Sequence, residues 1–465
     1  MKADLAIIGG GPGGYVAAIR GAQLKKRVVL IEQENIGGVC MNWGCIPTKH
    51  LLEATKSIEQ IRKSKYFETQ EGSFRLNWKM VLEGKDAVVE RLVNGTEFLL
   101  KKNGVEVIHG NASLLKDGKI RIESDGMEIS LEADSIILAT GSRPAELPFL
   151  KINGKEVLTS RNALEMEQVP ESLIIVGAGA IGLEMGTIYH RLGSKVTVLE
   201  VLPGVISGCD RELGNRLERL LKRQGLHIHT RMSIENAELE DGKVLLSGKA
   251  LKDQKAFRFE SEKVLLAVGR KPNSECFKDI DPRLELDSKG FVKVNANLET
   301  GLPGVYAVGD VIGGKLLAHK ASHEGIIAAE NASGLNRKMS YHALPHAVFT
   351  DPEFASVGLT QQEAEDRELP FLKGMFSLQA NGRALTMGKP DGIVKVIADE
   401  NGIMIGAHIL APGASEMIGE LTLAVEKGLT LDDVASTIHI HPTLSESSME
   451  ACLNARKRSI HMINQ

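Results

Sequence analysis

The strongest constraint on this chain is a pattern that occurs twice. Asp4-Leu-Ala-Ile-Ile-Gly-Gly-Gly-Pro-Gly-Gly14 and Ser172-Leu-Ile-Ile-Val-Gly-Ala-Gly-Ala-Ile-Gly182 are both apolar, buried-type strands that run into a G-x-G-x-x-G turn. A helical pattern follows each. The first carries Val16-Ala17-Ala18 and ends near Lys26; the second runs from about Ile181 to Arg191, with Gly193 as its stop. A second strand then ends each unit on an acid, Val28–Glu32 and Val196–Glu200, 23 residues beyond the first glycine in both copies. One glycine run alone is weak, because glycine-rich turns are common. Strand before, helix after and an acid at a fixed distance, all repeated, predict two dinucleotide sites. Glycines let backbone approach a pyrophosphate, the helix N-terminus favours its charge, and the acid accepts hydrogen bonds from ribose hydroxyls. The candidates are Gly9, Gly11, Gly14 and Glu32 in the first copy, and Gly177, Gly179, Ile181, Gly182 and Glu200 in the second.

Three further segments share one design: Ile137-Leu-Ala-Thr-Gly141, Leu265-Leu-Ala-Val-Gly269 and Val305-Tyr-Ala-Val-Gly-Asp310. Each is a short apolar strand ending at glycine, which suits backbone passing close to a cofactor and adds Gly141 and Gly269 to the binding set. They close the two nucleotide units, and the third returns the chain to the first unit. Boundaries are expected near 144–148, near Asn273 and within 338–345, giving segments 1–145, 146–273, 274–341 and 342–465. The last segment is of another type. Gly392–Ala398 and Ile403–Leu410 flank Glu400-Asn401-Gly402, a hairpin signal, and Met417, Ile418, Leu421, Ala424 and Val425 follow at helical spacing before Gly428.

At 465 residues the chain exceeds what one core supports. A net charge of −4 and the lack of a long basic run count against nucleic acid as a partner. No run of about 18 apolar residues is present to span a membrane. Met1-Lys2-Ala3-Asp4 runs straight into the first strand, so an export signal is not expected. Five cysteines make no structural disulfide framework, which suits a reducing cytoplasm, or an organelle matrix after removal of a presequence.

Two of those cysteines stand out. Gly37-Gly-Val-Cys40-Met-Asn-Trp-Gly-Cys45-Ile-Pro47-Thr-Lys49 comes directly after the first ribose-binding strand. Pro47 suits a first helical turn, which puts Cys45 at a helix N-terminus where a thiolate is stabilised. Cys40 lies in the glycine-rich loop ahead, near enough for a reversible bond. One thiol beside a cofactor and one toward solvent would make an electron relay. A metal site would need about four ligands, and only His50 is at hand as a third. Two inert buried cysteines remain the other reading. Cys209, Cys276 and Cys452 are isolated and read as packing residues.

The run G-G-V-C-x-N-x-G-C-I-P-T-K resembles the redox-active signature of the flavoprotein disulfide reductases, and the likeness extends over essentially the whole chain. Gly-Gly-Gly-Pro-Gly-Gly-Tyr15-Val-Ala-Ala-Ile and Leu317-Ala-His-Lys-Ala-Ser-His-Glu-Gly325 are similar to the branch of that family that acts on protein-bound dihydrolipoamide. The resemblance implies an α/β fold with two Rossmann-like dinucleotide-binding domains and a C-terminal α+β dimerisation domain. It implies FAD and NAD as cofactors, no metal, and oxidation of dihydrolipoamide through Cys40 and Cys45. It also implies a homodimer that serves lipoyl-bearing proteins of 2-oxo acid dehydrogenase or glycine cleavage complexes. The lipoyl group is expected to arrive on another protein rather than on an extension of this chain.

In the tail, Ile438-His439-Ile440-His441-Pro442-Thr443-Leu444-Ser445-Glu446 is similar to the family's H-P-T-L-x-E motif. A dithiol must shed protons as it is oxidised, so a histidine base is expected, with a carboxylate to hold its tautomer. The motif gives the base to His441 and the carboxylate to Glu446, reaching into the partner's site. Thr443-Leu-Ser-Glu446 also reads as a capping box that starts the last helix, and His439 as a core residue on the opposite face of a strand. Further residues follow from the resemblance alone: Glu32 at the FAD ribose, Lys49 at the flavin and paired with Glu184, Asp310 at the ribityl chain, Ala318 through its backbone, and Ala112 near adenine. Rival readings are a glutathione- or mercury-type reductase running from NADPH, against which Leu444 and His441 count, and a non-catalytic FAD-binding subunit.

Overall fold

The structure, a computed structural model, describes residues 1–63, 76–277 and 280–464. Both copies of the repeated pattern form parallel sheets, and for one physical reason. Strands such as Val28–Glu32 and Ser172–Val176 are apolar nearly throughout, and such runs need cover on both faces.

The first sheet has seven strands. Its parallel part runs Glu106–His109, Val28–Glu32, Lys2–Ile8 and the C-terminal half of Met127–Leu138. The N-terminal half of that long strand pairs antiparallel with Ile120–Ser124, and this in turn with Asn111–Leu114. Val305–Ala307 joins on the other side of Met127–Leu138, with Val305 opposite Ile136, so the central segment returns to the first sheet.

The second sheet is parallel throughout, in the order His227–His229, Lys195–Leu199, Ser172–Val176, Lys263–Leu266 and Val157–Leu158. Helices Ala180–Leu192 and Arg211–Gln224 cover one face through Leu183, Ile188, Leu217 and Leu221. A three-stranded antiparallel layer, Met232–Glu240, Lys243–Ala250 and Ala256–Ser261, covers the other, with Leu246 and Phe257 against Ile174 and Val176. The chain leaves the first sheet along Ser142–Pro144 and returns along Arg270–Pro272, and these two segments pair antiparallel.

The C-terminal sheet is antiparallel, in the order His346–Val348, Glu353–Gly358, Met404–Ala411, Ile393–Asp399 and Phe371–Ser377. Its central hairpin turns at Glu400-Asn401-Gly402, where Gly402 takes φ +88°, a left-handed conformation suited to glycine. Helix Ala414–Lys427 buries Ile418, Leu421, Ala424 and Val425, stopping at the left-handed Gly428. No helix among the described residues is long and apolar enough to cross a membrane.

Candidate active site

The repeat extends to single hydrogen bonds. In the first copy the Gly10 N–H donates to Glu32 Oε2 at 2.6 Å and the Glu34 N–H to Oε1 at 2.8 Å. In the second, the Ala178 N–H donates to Glu200 Oε2 at 2.7 Å and the Leu202 N–H to Oε1 at 2.8 Å. Each carboxylate is thereby fixed beside its turn. The glycines divide into the same three roles in both copies. Gly9 and Gly177 take φ +106° and +107°, and a Cβ there would strike the carbonyl of Ala139 or Ala267. A Cβ on Gly14 would lie 1.7 Å from the Gly9 oxygen, and one on Gly182 would lie 2.0 Å from the Gly177 oxygen, so the third glycine lets helix meet strand. Gly11 and Gly179 have open space where a Cβ would stand. That is the place where backbone would meet a pyrophosphate, ahead of helices Pro12–Gln23 and Ala180–Leu192.

One cavity of about 850 Å³ lies between the first sheet and the helix of the second turn. That is within the size range of sites that enclose a large ligand. Gly9, Gly11 and Glu32 are at its wall together with Ala112, Gly141, Asp310 and Ala318. Cys40, Cys45 and Lys49 line it too, as do Ile181 and Glu184 from the second unit. The open space at Gly11 and the fixed Glu32 fit the ADP half of FAD, and the cavity extends from there to the cysteines. Gly14, Gly177, Gly179, Gly182, Glu200 and Gly269 do not line it. Gly269 takes φ +114° and also has open space at its Cβ position.

Cys40 sits on a six-residue helix, Gly38–Trp43, rather than in a loop; Asn42 ties that helix back by donating to the carbonyls of Ile36 and Gly38 at 3.0 Å. Cys45 begins the helix Cys45–Lys63, and Thr48 closes its first turn onto the Gly44 carbonyl. A hydrogen bond between the two thiols sets them apart. It raises the Cys40 thiol well above the usual range, and burial adds to this. The same bond lowers Cys45 to about 7 against the opposing effect of burial, with the Lys49 cation assisting. Lys49 Nζ lies 2.7 Å from Glu184 Oε2 and 4.5 Å from the centre of the Phe349 ring, while the other Glu184 oxygen accepts the Phe349 N–H.

Asp310 accepts a hydrogen bond from Ser142, and Arg270 donates to both the hydroxyl and the carbonyl of Ser142. Behind this turn a fully buried Glu324 accepts from the Gly309 N–H, the Lys320 ammonium and the Tyr341 hydroxyl. Sequence reasoning missed Ser142 and Arg270, which line the cavity from the two-stranded ribbon; the proximity of both segments to the strand-ending glycines Gly141 and Gly269 was the available signal. It also missed His346, which lines the cavity and is lowered to about 4 by burial and by the neighbouring Lys315, His319 and Lys49.

His441 and Glu446 do not line the cavity of their own chain. His441 Nδ1 lies 2.9 Å from Glu446 Oε1, and its side chain is 77% exposed. The second Glu446 oxygen accepts the Thr443 N–H, whereas the Thr443 hydroxyl bonds the Ile440 carbonyl, so no reciprocal capping box forms. Burial alone would raise the Glu446 carboxyl, but the Thr443 N–H and His441 outweigh it and hold it below its ordinary value. The expected strand around His439 is absent. That segment is irregular, and His439 is held by Glu420 at 2.9 Å and by the Thr437 carbonyl.

Residues 3–325 match the family described as pyridine nucleotide-disulphide oxidoreductase, and residues 344–452 match its dimerisation domain. A dihydrolipoyl dehydrogenase of Geobacillus stearothermophilus is 39% identical over 466 residues, covering 100% of this chain and 98% of the relative. One from Thermus scotoductus is 41% identical, covering 99% of each chain. The crystal structure of LpdA from Mycobacterium tuberculosis superposes with a TM-score of 0.89 at 27% identity, over 97% of this chain and 99% of LpdA. RclA from Escherichia coli, an HOCl-induced flavoprotein disulfide reductase solved as a copper(II) complex, gives 0.86 at 25% identity, over 97% of this chain and 99% of RclA. With both parts of the family matched in order along the chain, this protein belongs to the pyridine nucleotide-disulphide oxidoreductases.

Proposed function

We propose that this chain oxidises protein-bound dihydrolipoamide to lipoamide with NAD+ as final acceptor, the activity named in its full-length relatives. One observation carries the reading: Cys40 and Cys45 line, together with Lys49, a single cavity that reaches from the first glycine turn to the helix of the second. The dithiol gives up two electrons and two protons as the Cys40–Cys45 disulfide opens; the disulfide re-forms as NAD+ takes two electrons and one proton, and the second proton is released to solvent. FAD, when bound, supplies the two-electron relay between the cysteine pair and the nicotinamide.

The residues divide the work. Glu32, Gly9 and Gly11 bind the ADP half of FAD, with Ala112 near its adenine; Asp310, Gly141 and the Ala318 backbone hold the remainder. Lys49, oriented by Glu184, would stand beside the flavin when it is bound, and it favours the charged form of Cys45. Glu200, Gly177, Gly179, Ile181, Gly182 and Gly269 receive NAD. Cys40 is the thiol that exchanges with substrate. When reduced, its hydrogen bond to Cys45 and its burial hold its pKa above the usual thiol range, so it needs a base to take its proton before it attacks, just as the substrate dithiol must lose a proton to open the disulfide. His441 is that base. With Glu446 holding Nδ1–H, Nε2 is free to accept a substrate proton.

Because His441 and Glu446 lie outside their own chain's cavity, the working unit in this proposal is a homodimer in which each tail serves the partner. The physiological partners are lipoyl-bearing proteins of 2-oxo acid dehydrogenase or glycine cleavage complexes. The proposed domains are 1–145 and 274–341 for FAD, 146–273 for NAD and 342–465 for dimerisation. The test is steady-state turnover with two substrate pairs. Dihydrolipoamide with NAD+ should turn over, and glutathione disulfide with NADPH should not; the opposite result would refute the proposal.

A further inference from the structure

Among the described residues, the ion pair with the least solvent exposure lies outside the lining of the cavity. Lys395, on the central hairpin strand Ile393–Asp399 of the C-terminal sheet, places Nζ 2.9 Å from Asp210 Oδ2, and both side chains are 0% exposed. Glu212 Oε2 lies 3.1 Å from the same ammonium. Asp210 belongs to the second nucleotide unit, where its other oxygen accepts the N–H groups of Glu212 and Leu213 and caps helix Arg211–Gln224. A buried cation that crosses between two units needs a reason, since taking these charges out of water costs several kcal/mol per ion.

The covalent path from Asp210 supplies one. The loop that follows Glu200 ends at Asp210. Within it the Cys209 N–H bonds the Ile206 carbonyl at 3.2 Å, and the Ile206 N–H bonds the Ala178 carbonyl at 2.9 Å. Ile206 is buried and takes φ +44°, a left-handed conformation that a β-branched residue adopts only when its surroundings hold it there. Ala178 is the second residue of the G-x-G-x-x-G turn, and its N–H is already bonded to Glu200. The turn is therefore held on both sides, by the ribose acid through Ala178 N–H and by the Asp210-anchored loop through Ala178 C=O.

We propose that Lys395 is a positioning residue for the pyridine-nucleotide site: from the C-terminal unit it anchors Asp210, and through the loop ending there it presets the Gly177–Gly182 turn. This rests on the pyridine-nucleotide reading of that turn. Without the anchor, NAD binding itself must order the loop and turn, so affinity falls. The first unit shares none of these bonds, so flavin retention and dihydrolipoamide binding stay as they were.

The test uses the holoenzyme with Lys395→Met, and with Asp210→Asn as a milder variant. The latter keeps an oxygen for the helix cap and leaves Glu212 as partner to Lys395. NADH dissociation constants are measured by equilibrium titration, alongside KM for each substrate and bound flavin per chain. Both variants should bind NADH roughly tenfold more weakly and show a matching rise in KM for NAD+. KM for dihydrolipoamide and flavin content should be unchanged. Unaltered NADH binding in Asp210→Asn overturns the proposal. So does a parallel loss of flavin and of dihydrolipoamide affinity, which would make Lys395 a general stabiliser. A wild-type protein that binds no NADH would refute the reading of the second turn itself, a result separable from the other two.

Discussion

At neutral pH the two redox thiols hold their protons unequally, and the difference is measurable. The hydrogen bond from Cys40, aided by Lys49, lowers Cys45 to about 7. Only the thiolate is alkylated, so reduced enzyme should react slowly with iodoacetamide at pH 5 and faster as pH rises through about 7. Lys49→Met removes the neighbouring cation and should move that midpoint upward. Cys45→Ser should remove the phase altogether, and a phase that survives it would contradict the assignment. Glu200 permits a second residue-level expectation. Its carboxylate is fixed by Ala178 and Leu202, and the following Val201-Leu202-Pro203 offers no arginine for a 2′-phosphate. NAD+ should be preferred over NADP+ by kcat/KM, and equal values would contradict the role.

The glycine turns make the clearest predictions among the elements, because their three glycines differ in what a methyl group would meet. Gly11 has ordinary backbone angles, φ −67° and ψ −175°, and open space at its Cβ position. Gly11→Ala should fold with stability unchanged or raised by about 0.4–1 kcal/mol while retaining less flavin. Gly14→Ala would press a methyl group against the Gly9 carbonyl and should cost about 1–3 kcal/mol. Thermal midpoints together with bound flavin per chain separate the two cases; equal effects of both substitutions would contradict the division of roles. These turns were legible in sequence because their information is local: strand period, glycine spacing and an acid at fixed distance. The cluster of Ser142, Arg270 and Asp310 was not, since it forms only when the outgoing and returning segments pair, with Ser142 and Arg270 128 positions apart in sequence. The segment around His439 misled for a related reason. Alternating Ile438, His439, Ile440 and His441 has the period of a strand, but among the described residues no strand pairs with it, so the segment is irregular.

On the scale of the molecule, sequence revealed the units through their repeat and through the change to an antiparallel C-terminal pattern. The contact of Lys49 with Glu184, which joins helices of different units, was expected from the family resemblance alone, because no local spacing encodes it. The exposure of Ile438, Ile440 and His441 in one chain belongs to this scale too. Exposed apolar side chains that lie side by side mark a contact surface, and Ile438 and Ile440 flank His439 next to His441 in this way. In the proposed dimer one redox site draws its cysteines from one chain and the His441–Glu446 pair from the other. Co-expression of two inactive variants, His441→Ala and Cys45→Ser, tests it most directly. In a mixed dimer one site receives intact cysteines and an intact histidine, while the other collects both defects. Random pairing of equal amounts makes half the dimers mixed, so about a quarter of wild-type activity should return. If each site lies within one chain, every site keeps a defect, and mixed dimers shown to be present but without activity would contradict the account.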